Sequence, residues 1–174
     1  GALLVATNTD LSIPTARGIA PGNGTLVAAV VSATGRDPLV AGKPFAPLMD
    51  ESVERIGARR PLIVGDRLDT DIEAGHRTGI PSLLVLTGVT GVDELLMAPQ
   101  HRRPTYLAAD LRGLSAEAAA LALAEVGRDA DDGLDGLREQ CRIAWAEADA
   151  GRPAVLDQGG RAALLDDVSR ALAR

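Results

Sequence analysis

Three aspartates, Asp66, Asp69 and Asp71, lie within six residues and follow the apolar run 61–64. A strand over this run would end near Asp66 and place its carboxylate at the edge of a sheet. Mg²⁺ binds hard oxygen ligands, takes few of them from protein and keeps several waters. The spacing predicts Asp66 as a Mg²⁺ ligand, Asp71 as a second member of the site and Asp69 as the weakest candidate. Helix capping is the alternative for Asp71, because acidic side chains are favourable near a helix N-terminus.

The only lysine among the 18 lysine and arginine residues is Lys43, which lies between Gly42 and Pro44. A strand over residues 38–41 would bring Lys43 to the same edge of the sheet as Asp66. Its ammonium group could neutralise a phosphoryl group or a nearby carboxylate as a compact charge. The alternative is a solvated surface lysine, which a sequence so rich in arginine makes less attractive.

A third polar group follows the first apolar run, residues 2–6, and consists of Thr7, Asn8 and Asp10. A hydroxyl, an amide and a carboxylate at a strand end are suited to binding a polar substrate. Turn formation is the alternative, because Asn and Asp favour turns. The spacing alone does not decide between the two.

The other reactive side chains give weaker evidence for a functional site. His76 and His101 are far apart in the sequence and lack a second ligand at zinc-binding spacing, so no zinc site is predicted. Cys141 lies in an amphipathic segment and is expected to pack in the core. The Gly159-Gly160 pair is weak evidence for a phosphate-binding loop.

The elements that must position these residues alternate between strands and helices, which predicts an α/β fold with a mostly parallel sheet. In such folds the ligand site lies beyond the carboxyl ends of the strands. Residues 12–24 are expected to form a loop, and Thr70 with Glu73 matches a capping box. The predicted strands are 2–6, 38–41, 61–64, 82–86 and 104–108, and the predicted helices are 25–34, 44–56, 71–77 and 92–97. The first strand is expected to be buried on both faces because it is apolar throughout.

The composition changes at about Ser115, and residues 115–174 are interpreted as a small appended module. Ser115 is expected to cap a helix over residues 115–126. An exposed connection over 127–136, helices over 137–148 and 162–173 and a short strand over 153–156 are also predicted.

Composition narrows the class of protein. The net charge of −6 argues against nucleic acid or an anionic membrane as the main partner, since both require clustered basic residues. One cysteine in 174 residues suits a reducing compartment, so a cytoplasmic protein is expected. No apolar run approaches the roughly 20 residues that span a bilayer. An apolar strand at the first residues suggests a piece of a longer protein.

Five motifs occur in an order that resembles the haloacid dehalogenase-like phosphatases with a C2-type cap. The members of this branch include phosphoglycolate, pyridoxal phosphate and glycerol-3-phosphate phosphatases. The motifs are ATNTD at 6–10, PGNG at 21–24, GKP at 42–44, GDRLDTD at 65–71 and LTGV at 86–89, and the resemblance spans residues 2–113.

The resemblance implies a fold and a domain organisation. Residues 1–37 would be the end of the cap, and residues 38–114 the carboxyl-terminal part of a Rossmann-like hydrolase core. Residues 115–174 would be the mainly helical, acetyltransferase-like module that actinobacterial members similar to glycerol-3-phosphate phosphatase carry. No Arg/Gln-x-x-Gly-x-Gly/Ala loop for acetyl-CoA occurs in that module.

The resemblance also implies roles for the site residues. Lys43 would be the phosphate-stabilising catalytic lysine and Asp66 the Mg²⁺ ligand of the last motif. Asp71 would support the metal site through water or through Lys43. Thr7, Asn8 and Asp10 would lie in or near the substrate-facing region of the cap.

The chain departs from the family in two respects: the first motif, Asp-x-Asp-Gly-Thr after an apolar strand, and the second, a Thr or Ser phosphate binder, are both absent from its 174 residues. Asp69-x-Asp71 lies inside the last motif and is not expected to be the nucleophile pair. The expected parent is a Mg²⁺-dependent phosphatase that hydrolyses a small phosphorylated metabolite through an aspartyl-phosphate intermediate. The expected partner is then an amino-terminal segment of the same protein, which would supply the nucleophile. The chain alone is expected to be inactive. The formation of a homo-oligomer is left open. The alternatives are a non-catalytic Mg²⁺- and anion-binding regulatory module and, more weakly, a receiver-like domain.

Overall fold

The computed structural model describes residues 2–116, 121–123, 132–153 and 157–173. The strands of this part are β1 (Val5–Ala6), β2 (Ser12–Thr15), β3 (Gly18–Pro21), β4 (Leu39–Val40), β5 (Ile63–Gly65), β6 (Ser82–Val85) and β7 (Tyr106–Ala108). The α-helices are α1 (Asn23–Thr34), α2 (Pro47–Ile56), α3 (Glu73–Thr78), α4 (Val92–Leu96), α5 (Asp135–Asp149) and α6 (Gln158–Ala173). A π-helical turn over Leu68–Ile72 leads directly into α3.

Two parallel sheets carry the ends of the strands that matter for the site. β5, β6 and β7 form a three-stranded parallel sheet in that order, and β1 pairs in parallel with β4. The predicted α/β fold with parallel strands is therefore confirmed. Lys43, which follows β4, contacts Asp71, which follows β5, so the carboxyl ends of the two sheets lie close together.

The prediction of a loop over residues 12–24 is wrong. β2 and β3 form an antiparallel hairpin in this segment. Thr15 Oγ1 donates a hydrogen bond to the Gly18 carbonyl at 2.7 Å, and Gly18 has a φ of 117°, which only glycine adopts without strain. Pro14 and Pro21 lie within the two strands, Gly18 begins β3 at the turn, and Gly22 and Gly24 lie at the beginning of α1.

The predicted capping box is also wrong. The Thr70 hydroxyl is buried without a hydrogen-bond partner among the described residues, and α3 begins without a side-chain cap. The π-helical turn replaces the expected cap, and the Glu73 carboxylate accepts hydrogen bonds from Arg77 and Arg102. Glu73 therefore serves an ion-pair network.

The first strand is shorter and more exposed than its apolar sequence predicts. Only Val5 and Ala6 pair with β4, and Val5 remains 55% exposed whereas Ala6 is buried. In the described part of the chain, β1 has β4 on one side alone. The prediction of burial on both faces is wrong, because the face that carries Val5 is exposed and only the face that carries Ala6 is buried.

The main hydrophobic core connects the parallel sheet to the two last helices. It is built almost entirely from aliphatic side chains, as the low aromatic content requires. Its members are Leu68, Ile72, Leu84, Leu86, Val92, Leu95, Leu96, Ala98, Leu107, Ala109, Leu123, Leu134, Leu137, Cys141, Trp145, Leu164 and Ala171.

Polar contacts add to this packing between α5 and the sheet. Arg138 is almost completely buried and donates a hydrogen bond to the Leu107 carbonyl at 2.7 Å. Trp145 Nε1 donates to the Leu95 carbonyl at 3.1 Å, at the end of α4. A separate folding unit over 115–174 stays a prediction, but its described helices share one core with the sheet.

Several predicted carboxyl-terminal features lie largely outside the described residues. Ser115 ends a 3₁₀ turn, Leu111–Ser115, and most of the predicted helix 115–126, together with the strand 153–156, is not described. No helix within the described ranges is long and apolar enough to cross a membrane.

Candidate active site

The site lies at the carboxyl ends of four strands. Asp10 follows β1, Lys43 follows β4, Asp66 follows β5, and the loop 86–90 follows β6. A polar residue or a glycine follows each of these four strands within two residues, as the sequence pattern predicts.

Lys43 and Asp71 form a close ion pair. Lys43 Nζ donates a hydrogen bond to Asp71 Oδ1 at 2.8 Å, and the Asp71 side chain is only 8% exposed. Partial burial lowers the pKa of the Lys43 ammonium, but the hydrogen bond and the charges of Asp71, Asp10 and Asp66 outweigh it and raise that pKa. Lys43 is therefore a stable cation held in a fixed direction.

Both oxygens of Asp71 are used within the protein. Oδ1 accepts from Lys43, and Oδ2 accepts the backbone N–H of Arg67 at 3.2 Å. A Cβ atom on Gly65 would lie 2.2 Å from the Asp71 carboxyl carbon, so only glycine leaves room for this side chain. These contacts suit a residue that supports the site through Lys43.

Asp66 is held by the loop after β6. Its Oδ2 accepts the Val89 N–H at 2.8 Å, and its carbonyl accepts the Thr90 N–H at 3.1 Å. A Cβ atom on Gly88 would lie 1.9 Å from Asp66 Oδ2, so the loop can approach this closely only with glycine at position 88. Asp66 Oδ1 has no hydrogen-bond partner among the described residues.

The donor set fits one protein ligand of a Mg²⁺ ion. Asp66 offers a fixed carboxylate with an uncommitted oxygen, whereas the Asp71 oxygens are occupied. No three His, Cys, Asp or Glu side chains in the described ranges converge as a metal cluster. Mg²⁺ keeps several waters and takes few protein ligands, so a single carboxylate is a fitting share of its shell.

Arg67 is a site residue that the sequence analysis missed. Its guanidinium binds Asp69 through two hydrogen bonds of 3.0 and 2.7 Å, and its side chain is only 13% exposed. The hydrogen bond that Arg67 donates to Asp69 raises the pKa of Arg67 more than burial lowers it. The sequence signal for Arg67 was its position directly after Asp66 and two residues before Asp69. Asp69 is engaged by this arginine.

The segment after β1 is ordered by its own turn. Asn8 Oδ1 accepts the backbone N–H of Asp10 at 3.1 Å, which is the turn interaction that Asn favours. Asp10 lies close to Lys43, with 3.8 Å between Oδ2 and Nζ. Thr7 meets the site through its backbone, since a Cβ atom on Gly42 would lie 2.0 Å from the Thr7 carbonyl oxygen. Substrate binding by Thr7, Asn8 and Asp10 stays a prediction.

Two other candidates lie away from this edge. The rings of His76 and His101 are neighbours despite their separation in the sequence, with centroids 6.3 Å apart. Cys141 is completely buried in the main core, and burial raises the pKa of its thiol to about 12. This thiol packs in the core, as predicted.

Residues 40–114 match the family model described as HAD-hydrolase-like, and this range contains Lys43, Asp66 and Asp71. This part of the chain belongs to the haloacid dehalogenase-like hydrolases. The match begins within β4 and ends in the 3₁₀ turn after β7. The family's fold therefore coincides with the sheet that positions the site.

Two curated relatives support the same assignment. The chain is 54% identical over 124 residues to D-glycerol 3-phosphate phosphatase of Mycobacterium tuberculosis, which is 71% of this chain and 35% of that protein. It is 48% identical over 106 residues to human chronophin, which is 57% of this chain and 36% of that protein. The chain thus spans about a third of the length of these relatives.

A solved structure extends the likeness beyond the family match. The crystal structure of a glycerol phosphate phosphatase from Mycobacterium tuberculosis in complex with magnesium superimposes with a TM-score of 0.79 and 45% identity. The superposition covers 95% of this chain and 55% of that one. The likeness therefore includes most of the carboxyl-terminal region. The acetyltransferase-like character of residues 115–174 stays a prediction.

Proposed function

We propose that this chain is the carboxyl-terminal part of a Mg²⁺-dependent phosphatase that hydrolyses a small phosphomonoester. The observation that carries the proposal is the fixed arrangement of Lys43, Asp71 and Asp66 beyond the carboxyl ends of β4 and β5, within the haloacid dehalogenase-like segment. A compact cation and a pinned carboxylate at one place are suited to positioning a phosphoryl group and stabilising its charge.

The charge of each site residue determines the role that we assign to it. Asp66 would hold Mg²⁺, which supplies charge neutralisation and orientation of the phosphoryl group when bound. Lys43 would bind a phosphoryl oxygen and stabilise the negative charge that develops during transfer. Asp71 would keep the Lys43 ammonium in place through its 2.8 Å hydrogen bond.

We propose glycerol 3-phosphate or 2-phosphoglycolate as the type of substrate. The names of the relatives support this choice. These relatives include the D-glycerol 3-phosphate phosphatase and phosphoglycolate phosphatase 2 of Arabidopsis thaliana. Thr7, Asn8 and Asp10 would face the substrate from the segment 1–37, which we assign to the end of the cap. The partner is then a small phosphorylated metabolite.

The nucleophile would come from a segment outside these 174 residues. The family forms an aspartyl-phosphate on the first aspartate of an Asp-x-Asp-Gly-Thr motif, which this chain does not contain, and the relatives are longer. In that step the carboxylate attacks phosphorus, the ester oxygen leaves with a proton from the second aspartate, and water then releases phosphate. The alternative is a non-catalytic Mg²⁺- and anion-binding module, which the absence of the motif favours for the chain alone.

A phosphate-release assay decides between these functions. The chain should show no hydrolysis of either ester alone. Addition of an amino-terminal segment that carries Asp-x-Asp, fused or as a separate chain, should produce Mg²⁺-dependent release of inorganic phosphate. Turnover by the 174 residues alone would contradict the proposed division, and inactivity of the extended protein on all phosphate esters would favour the binding module.

A further inference from the structure

Asp10 occupies a position between the two cations of the site. Its Oδ2 is 3.8 Å from Lys43 Nζ, and its Oδ1 is 3.9 Å from Arg67 Nε. Each cation has a closer partner, Asp71 for Lys43 and Asp69 for Arg67. Asp10 Oδ1 is buried and has no hydrogen-bond partner among the described residues. Electrostatic attraction to both cations at once is what this carboxylate gains here.

The backbone beside Asp10 is tied to Lys43 as well. The Thr9 N–H donates a hydrogen bond to the Lys43 carbonyl at 3.2 Å. Lys43 is therefore contacted at its carbonyl and at its ammonium group by two successive residues of one segment. A displacement of that segment would change the position of the ammonium group.

Asp10 is in turn held by the beginning of α1. Asn23 Nδ2 donates to the Asn8 carbonyl at 2.9 Å, and Asn8 Oδ1 accepts the Asp10 N–H. The Gly24 N–H donates to the Asp10 carbonyl at 2.8 Å. A Cβ atom on Gly24 would lie 2.3 Å from the Thr9 carbonyl oxygen, so the helix end packs against this backbone with no room for a side chain.

We propose that Asp10 is a positioning residue that couples the beginning of α1 to the Lys43 ammonium group. The connection runs from Asn23 through Asn8 to Asp10 and then to Lys43. Asp71 anchors the ammonium from the π-helical turn, and Asp10 provides the second anchor from the segment before α1. The catalytic meaning of this coupling rests on the proposed function, because it acts through Lys43.

The unique lysine makes the coupling measurable without any phosphatase activity. In protein labelled with ¹⁵N-lysine, the one side-chain ammonium signal comes from Lys43. The ¹⁵N order parameter of this group should fall in Asp10→Asn, which keeps the shape and removes the charge. It should also fall in Asn23→Ala, which leaves Asp10 and Lys43 in place but removes the support of Asn8.

Thr25→Ala is the matched control for Asn23→Ala. Thr25 also lies in the first turn of α1 and donates to a backbone carbonyl of the same segment, that of Leu11, at 2.6 Å. It should leave the Lys43 order parameter unchanged. An unchanged signal in Asp10→Asn, or an equal loss of order in Thr25→Ala and Asn23→Ala, would overturn the coupling. Circular dichroism confirms that each variant is folded.

The activity of the extended enzyme provides a second, separate readout. Asp10→Asn should lower kcat several-fold, and it should have little further effect when Lys43 is already Ala. A purely structural role would lower kcat by the same factor in both backgrounds, which would contradict the coupling through Lys43. If the extended enzyme proved inactive, the proposed function would fail while the order-parameter measurement would still test the coupling.

Discussion

At the scale of single residues, the site depends on one compact cation. Lys43→Ala should lower kcat of the extended enzyme by orders of magnitude, because preorganised charge acts mainly on the transition state. Lys43→Arg should rescue poorly, since a planar guanidinium does not replace an ammonium group at the Asp71 contact. Steady-state kinetics measure both effects. Arg36→Ala, an exposed arginine, is the control, and near-normal kcat in Lys43→Ala would return Lys43 to a solvated surface role.

The metal assignment at residue scale rests on Asp66. Asp66→Asn should weaken Mg²⁺ binding by at least tenfold, because it removes the one fixed carboxylate with an uncommitted oxygen. Calorimetric titration with Mg²⁺ measures the affinity. Asp157→Asn, an exposed aspartate before α6, should bind Mg²⁺ like wild type. Equal weakening in both variants would indicate a general effect of charge in place of coordination.

At the scale of elements, the loop after β6 determines where the Asp66 carboxylate lies. Gly88→Ala should weaken Mg²⁺ binding, because its Cβ atom would come within 1.9 Å of Asp66 Oδ2 and must displace that carboxylate. Gly91 lies three residues further on, directly before α4, where a Cβ atom meets nothing within 4 Å, so Gly91→Ala should bind Mg²⁺ normally. The same titration compares them. If the two variants bound Mg²⁺ alike, the loop would not be what fixes Asp66.

Helix α3 contains an ion pair whose carboxylate is buried, and α2 contains an exposed ion pair at the same spacing. Glu73 is 6% exposed and pairs with Arg77 and Arg102, whereas Glu51 and Arg55 are both exposed. Glu73→Gln should lower the free energy of unfolding by about 1.5–3 kcal/mol. Glu51→Gln should change it by only about 0.3–0.5 kcal/mol. Urea unfolding at pH 7 measures both, and similar losses would contradict the role of burial.

The Glu73 pair also fixes the sign of a pH dependence. Burial raises the pKa of the Glu73 carboxyl, but the hydrogen bonds and charges of Arg77 and Arg102 outweigh it and lower that pKa. The stabilisation is therefore complete above the unfolded-state pKa, about 4.3, and is lost as the pH falls through the folded-state value. The difference in unfolding free energy between wild type and Glu73→Gln should shrink on acidification, and a constant difference would contradict this origin.

The sequence predicted the elements with strong apolar patterns and missed those that depend on local geometry. β5, β6 and β7 begin and end within two residues of the expected strands, whereas β1 begins three residues later than expected. The placement of Lys43 and Asp66 beyond the carboxyl ends of strands followed from the apolar runs that precede them in the sequence. The hairpin β2–β3 was hidden because proline and glycine normally mark loops, and the π-helical turn has no distinctive sequence signal. The Lys43–Asp10 approach depends on a hydrogen-bonded turn that no periodicity encodes.

At the scale of the whole molecule, the last two helices complete the core behind the site. Arg161 of α6 pairs with Asp93 of α4, with one hydrogen bond of 2.6 Å. Trp145 donates to the end of α4, and the Arg103 guanidinium lies 5.2 Å from the centre of its ring. Since α4 directly follows the loop that holds Asp66, the packing of α5 and α6 supports the same loop. The carboxyl-terminal helices are thus part of the framework of the site.

One cooperative core should therefore respond to a cavity in α5. Leu137 is completely buried, and Leu137→Ala should lower the free energy of unfolding by about 2–5 kcal/mol. Leu26→Ala on α1, where the leucine is 62% exposed, is the matched control and should change it little.

The buried Cys141 thiol, whose pKa burial raises to about 12, reports the opening of the core. A thiol reagent at pH 8 should modify Cys141 much faster in Leu137→Ala than in Leu26→Ala or wild type, because the thiol reacts when the core opens. Urea unfolding of Leu137→Ala followed by Cys141 labelling and by the Lys43 ammonium signal should give coincident transitions, since Leu137 and Leu68 belong to one cluster. Loss of Cys141 protection with an intact Lys43 signal would show that α5 and α6 open as an independent unit.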